Sequence, residues 1–141
     1  MFSLLLEGNA IIPRERCAVP FFTSFDHIAL AMPVAQEDRA RTFYVGILGF
    51  EEVPKPAELA SRGGAWFRSG EALLHLGVEA GFRPAKRAHP ALRACDYGSL
   101  RKHLINNDIE ILSEDRTGGQ LHCNVCDPFG NRIEIVGGQD E

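Results

Sequence analysis

An alternation of period two opens at Phe25. In FDHIALAM, residues 25–32, Ile28, Leu30 and Met32 fall on one side of an extended chain, and His27, Ala29 and Ala31 on the other. The first side is bulky and aliphatic and needs something to pack on. The second is small apart from His27. Pro33 ends the strand, and the period then lengthens. From Gln36 to Leu48, Ala40, Phe43, Tyr44, Ile47 and Leu48 share one side at helical spacing. Glu37, Asp38, Arg39 and Arg41 supply a charged start, and Gly49 a stop. Short strands are predicted over 50–53, 65–68 and 72–78, parted by Pro54, Pro56, Gly63-Gly64 and Ser69-Gly70. In the third of them Leu74, Leu76 and Val78 oppose Leu73, His75 and Gly77.

Residues 80–88 lie in a stretch rich in Gly, Pro and basic side chains and read as a linker. The pattern then starts again. A strand is predicted over 89–94, a helix over 97–105, a strand over 109–112, and a hairpin of 121–126 with 132–136. Between the hairpin strands lies Asp127-Pro128-Phe129-Gly130-Asn131, where Pro sets one backbone angle and Gly supplies a positive one. Each half thus reads strand, helix, strand, strand, strand: module one over 25–79 and module two over 89–137. HIAL at 27–30 matches HPAL at 89–92 with an offset of 62, and LHL at 74–76 matches IEI at 133–135 with an offset of 59. Two copies of this size indicate a pseudo-symmetric α+β domain, since a solenoid needs shorter and more numerous units. Residues 1–24 match nothing later and form an N-terminal extension.

The repeat locates candidate chemistry. His27 and His89 are equivalent positions in the opening strands, and His75 and Glu134 in the closing strands. Each polar residue opposes an aliphatic face, so the four side chains point away from the helices toward a common cleft. Imidazole and carboxylate are the usual ligands of a divalent transition metal. One histidine in a strand is more often hydrogen-bonded structure, but three at repeat-related positions joined by a glutamate favour metal binding. His103 and His122 read as structural or solvated. Arg93 lies on the His89 side of its strand and is a candidate partner for an anionic substrate group. Trp66 adjoins the cleft strands.

Composition narrows the setting. The 141 residues suit one domain; 45% are hydrophobic and 24% charged, as in an ordinary globular protein. A net charge of −4 and a pI near 5.7 argue against a nucleic-acid partner. No apolar run reaches the roughly 18 residues of a membrane span, and Met1 to Leu6 lacks the basic leader of a signal peptide. Cys17, Cys95, Cys123 and Cys126 are expected to be reduced thiols of a cytoplasmic protein. The single C-x-x-C lacks the second ligand pair of a zinc site, and a strand there would turn its sulfurs to opposite faces.

HIAL, the helix end FYVGILGF, HPAL and the closing DPFGNRIEIV together resemble the vicinal oxygen chelate superfamily. That group holds glyoxalase I, fosfomycin- and bleomycin-resistance proteins, methylmalonyl-CoA epimerase and extradiol dioxygenases. The resemblance covers residues 25–137. It implies two βαβββ modules forming an open barrel-like mixed sheet around a cleft, and a homodimer. It implies a divalent metal, zinc, nickel, manganese or iron, on His27, His75, His89 and Glu134, one pair of which a partner chain could supply. His75 departs from the glutamate of glyoxalase I, so it is either the fourth ligand or, with Glu134, a catalytic proton carrier. The implied activity is that of a metal-dependent lyase or isomerase acting on a small molecule with adjacent oxygens. An extradiol-type dioxygenase, a thiol-transferring resistance enzyme and a metal-free drug-binding protein are the alternatives. In those readings Arg93 and Trp66 would contact substrate.

Overall fold

The computed structural model describes residues 20–138, so the expected extension and Cys17 lie outside the described residues up to position 19. Eight strands and two α-helices follow: β1 Ile28–Met32, α1 Glu37–Arg41, β2 Glu51–Val53, β3 Ala65–Ser69, β4 Ala72–Val78, β5 Ala91–Arg93, α2 Tyr97–Asn106, β6 Ser113–Thr117, β7 Gln120–Cys126 and β8 Arg132–Val136. They form two four-stranded mixed sheets of the same order, β1-β4-β3-β2 and β5-β8-β7-β6. The βαβββ repeat expected from the sequence is therefore the architecture. The sheets stay open to one another, with no closed barrel among the described residues.

The register makes the repeat quantitative. β1 runs parallel to β4 with Ala29 opposite His75, and β5 runs parallel to β8 with Ala91 opposite Glu134. Ala29 and Ala91 differ by the offset of 62, and His75 and Glu134 by 59, so the sequence repeat is also a register repeat. Met32, Leu74, Leu76, Ala65 and Phe67 turn inward from the first sheet, and Cys123, Val125, Ile133 and Ile135 from the second. Tyr44, Tyr97 and Leu104 of the helical segments complete one core shared by both modules.

Three elements differ from the sequence expectation. The helix begins as α1 but continues over Thr42–Ile47 with wider π-type turns. The Leu48 N–H reaches the Phe43 carbonyl, and the Phe50 N–H reaches Tyr44 across Gly49 at φ 73°. The wider turn lets two adjacent aromatics, Phe43 and Tyr44, both face the core. The strand expected over 109–112 is not one. Ile109 and Ile111 pack on the core as irregular chain, and β6 starts only at Ser113. β6 is polar and exposed along its length, as an edge strand that avoids further pairing. Gly118 and Gly119, with φ of 59° and 83°, join it to β7 in a two-residue loop of the kind that matches strand twist. A short 3₁₀ helix, Ala57–Arg62, lies between β2 and β3, where no element is expected from the sequence.

The DPFGN turn ties the modules together. Asp127 is buried and accepts from the backbone N–H of Phe129 and Asn131 and from Asn131 Nδ2, all at 2.9 Å, and from the Tyr44 hydroxyl at 2.8 Å. Asn131 Nδ2 also donates to the Ala31 carbonyl on β1, 2.8 Å away. Arg39 of α1 donates to the Pro128 carbonyl and lies over the Phe129 ring. A turn recognised by its backbone chemistry thus doubles as the polar joint of the domain.

Candidate metal centre

Alternation along the strands sets which side chains meet on the face away from the helices. In module one these are His27, Ala29 and Ala31, then His75 and Gly77 on β4, then Trp66 on β3 opposite His75. His27 sits just before β1. The β4 ring lies between its two neighbours: Trp66 stacks on His75 at 3.8 Å with 2° between the planes, and His27 stacks at 4.0 Å and 18°. Ala29, Ala31 and Gly77 leave the space that this three-ring stack occupies. His27 Nδ1 donates to Asp26 Oδ1 at 2.7 Å, which leaves Nε2 with a lone pair. The bond from His27 in turn holds the Asp26 carboxyl below the ordinary aspartate range. Burial holds His75 below the ordinary histidine value, so it is neutral at neutral pH. Its Nε2 is buried and has no hydrogen-bond partner among the described residues.

In module two the face carries His89, Ala91 and Arg93, then Arg132 and Glu134 on β8, then His122 and Asn124 on β7. His89 precedes β5 because Pro90 has no N–H to extend the ladder. His89 Nε2 lies 3.0 Å from Glu134 Oε2, and His122 Nδ1 lies 2.6 Å from Glu134 Oε1. The bond from His122 first, then that from His89, lowers the Glu134 carboxyl against the opposing effect of burial, so it is ionised at neutral pH. His89 Nδ1 is 2.7 Å from the Arg87 carbonyl, and Arg132 also donates to that carbonyl at 3.0 Å. Arg132 also donates to His89 Nδ1 at 2.7 Å, so Nδ1 accepts and Nε2–H is left to donate to Glu134 Oε2.

The four expected ligands therefore assemble as two pairs, His27 with His75 and His89 with Glu134. The donor set, three imidazoles and a carboxylate, suits a first-row divalent cation, and His75 Nε2 is a buried donor atom still lacking a partner. The pairs lie on separate sheets. Among the described residues of one chain, no three His, Cys, Asp or Glu side chains converge as a metal requires. Trp66 is in the site, stacked on His75. Arg93 is apart from both pairs: its side chain enters no hydrogen bond or ion pair among the described residues and borders a largely apolar cavity of about 290 Å³ with Leu48, Phe50 and Leu100. Cys123 is buried and Cys126 half-buried on opposite faces of β7, and neither is in a disulfide. His122, which the sequence reading left as structural or solvated, touches Glu134 directly.

The sequence over residues 24–135 matches the family model described as Glyoxalase/Bleomycin resistance protein/Dioxygenase superfamily. The chain belongs to this superfamily. A solved protein of the glyoxalase family from Bacillus anthracis is 42% identical, covering 84% of this chain and 98% of its own, with a TM-score of 0.80. A lactoylglutathione lyase from Agrobacterium tumefaciens (21% identity, 79% and 92% coverage, TM-score 0.59) has the same fold. So does a fosfomycin resistance protein from Listeria monocytogenes (14% identity, 83% and 94% coverage, TM-score 0.66). No curated protein matches the sequence. The superfamily contains lyases, dioxygenases and resistance enzymes, so membership settles the fold and leaves the reaction to the site. No helix among the described residues is long and apolar enough to cross a membrane.

Proposed function

We propose that this superfamily member is a glyoxalase-like, metal-dependent enzyme acting on a small molecule with adjacent oxygens, by lyase or isomerase chemistry. The observation that carries the reading is the pairing by register: His27 with His75 and His89 with Glu134 stand at corresponding points of two like sheets, each on the face away from the core. In this reading all four side chains hold one divalent cation, and a second copy of the chain brings a module-one pair to a module-two pair. The cation would supply Lewis acidity to the substrate oxygens. The chain's own groups then divide the work. Glu134, ionised at neutral pH, can accept a proton from the carbon next to a carbonyl and return it from the same oxygen. His75, neutral and half-buried, offers its buried Nε2 as a ligand without first losing a proton. The Trp66 ring holds the plane of that imidazole and covers one side of it against water.

Metal analysis and mixing test this. Protein purified without chelators and incubated with Ni²⁺, Zn²⁺, Mn²⁺ or Fe²⁺ should retain one of them in stoichiometric amount. His27→Ala and Glu134→Ala should each abolish retention, and retention unaffected by both would place the site elsewhere. Mixing the two inactive variants decides whether the site is shared. A heterodimer then carries one intact site, so random exchange should restore about a quarter of the wild-type metal. A site built within one chain would restore none.

A further inference from the structure

The role of His122 follows from what can and cannot reach Glu134. The carboxylate projects from β8 on the face away from the core, and its direct neighbour across the ladder is Asn124. Asn124 is otherwise engaged: its Nδ2 donates to Ser113 Oγ at 3.0 Å. The diagonal neighbour on β7 is His122, two residues earlier on the same face. Its Nδ1 lies 2.6 Å from Glu134 Oε1, within the range of a strong charge-assisted bond. The other oxygen, Oε2, faces His89 Nε2. The two oxygens therefore have different duties: one is tied back to the sheet, and the other points at the ring that shares the site.

Resting on the reading above, we propose that His122 is a positioning residue of the metal centre. By donating Nδ1–H to Glu134 Oε1 it fixes the carboxylate plane, so that Glu134 presents Oε2 alone beside His89. The pair is held by a rigid antiparallel ladder, so a single rotamer of Glu134 is selected before any cation arrives. A carboxylate on a three-bond side chain without that tie would lose rotamer freedom only on binding, and affinity would fall accordingly. The alternative is that the His122–Glu134 contact is an ordinary cross-strand pair that only supports the sheet. In that case it stabilises the fold and leaves cation affinity unchanged.

The test is Ni²⁺ affinity by equilibrium dialysis of the full chain, read with the thermal midpoint of the metal-free protein. His122→Ala should weaken Ni²⁺ binding about 10- to 100-fold, the range for lost outer ligand partners. His122→Asn places an N–H donor near the position of Nδ1 and should restore affinity to within about threefold of wild type. Wild-type affinity in His122→Ala overturns the proposal, as does His122→Asn binding as weakly as His122→Ala. Should His122→Ala fail to fold, His122→Phe fills the same space without a donor and takes its place. Failure of the parent reading looks different: wild type itself would bind no Ni²⁺, or Glu134→Ala would bind it as well as wild type.

Discussion

Replacing Tyr44 by phenylalanine removes one oxygen and should destabilise the domain by about 1.5–3 kcal/mol, the range for a hydrogen bond to a charged group. The ring itself has no reason to move. It is fully buried, stacked on Phe67 at 5.2 Å and edge-on to Phe43 and Phe50, and phenylalanine keeps all of those contacts. What is lost is the 2.8 Å bond from the Tyr44 hydroxyl to Asp127 Oδ2. Burial, and then the nearby Asp127 charge, push ionisation of the phenol far above its ordinary value, so the hydroxyl is a donor at every working pH. Asp127 is 5% exposed, and no water replaces the missing donor readily. Three N–H donors remain on it, which keeps the cost at a single bond. At roughly 2 cal/mol/K of unfolding entropy per residue, a domain of about 120 residues should then melt about 6–12 °C lower.

Scanning calorimetry of the wild type, Tyr44→Phe, Asp127→Asn and the double variant completes the cycle. In the Asp127→Asn background the tyrosine change should cost less than about 1 kcal/mol, because the charged acceptor is already gone. A midpoint within 2 °C of wild type, or an equal cost in both backgrounds, would refute the claim that this bond joins the modules. Tyr44 comes from module one and Asp127 from module two, so the cycle also measures how firmly the halves are coupled.

Trp66, the single tryptophan, is stacked on His75 and should report on it. Adding Ni²⁺ to metal-free protein should quench its fluorescence, and His75→Ala should remove the response while leaving emission otherwise similar. Binding by dialysis without any change in emission would put His75 outside the metal site. Acid should draw on His75 and Glu134 at different stages, because each has a folded pKa below its ordinary one. His75 contributes fully above pH 6.5, and that contribution is lost as pH falls through its depressed folded value. Glu134 contributes fully above pH 4.5 and loses its share below that. Urea midpoints measured from pH 8 to pH 3 should therefore fall less steeply below 6.5 in His75→Gln and less steeply below 4.5 in Glu134→Gln; unchanged slopes would contradict the assignments.

Strands with one aliphatic side were legible because alternation and burial coincide in them. β1, β4 and β8 each carry Ile, Leu, Met or Val at every second position; β4 and β8 fall where expected, and β1 ends where expected but starts three residues later, at Ile28. β6 was not, because Ser-Glu-Asp-Arg-Thr is polar on both sides and an exposed edge leaves no hydrophobic record. Ile109 and Ile111 drew the strand expectation to themselves, since core packing of irregular chain imitates alternation over so short a span. The π-type turns escaped for a related reason. Phe43 and Tyr44 fit the apolar side of an ordinary helix loosely enough that burial of both required no change of period.

The site was legible only as far as register reaches. Repeat offsets identify His27 with His89 and His75 with Glu134 because pairing within a sheet is a local property of each module. How one pair stands to the other is set by packing between sheets, and no spacing along the chain encodes it. Arg93 shows the same limit, since its neighbours are not those of the histidine and carboxylate pairs. His122 was within reach. The five residues Asp127 to Asn131 place Cys126 opposite Arg132, which puts Asn124 opposite Glu134 and His122 one diagonal step away. Counting register outward from a strong turn finds the neighbours of a carboxylate. A motif that stops at the carboxylate, as DPFGNRIE does, passes over the strand that holds it in place.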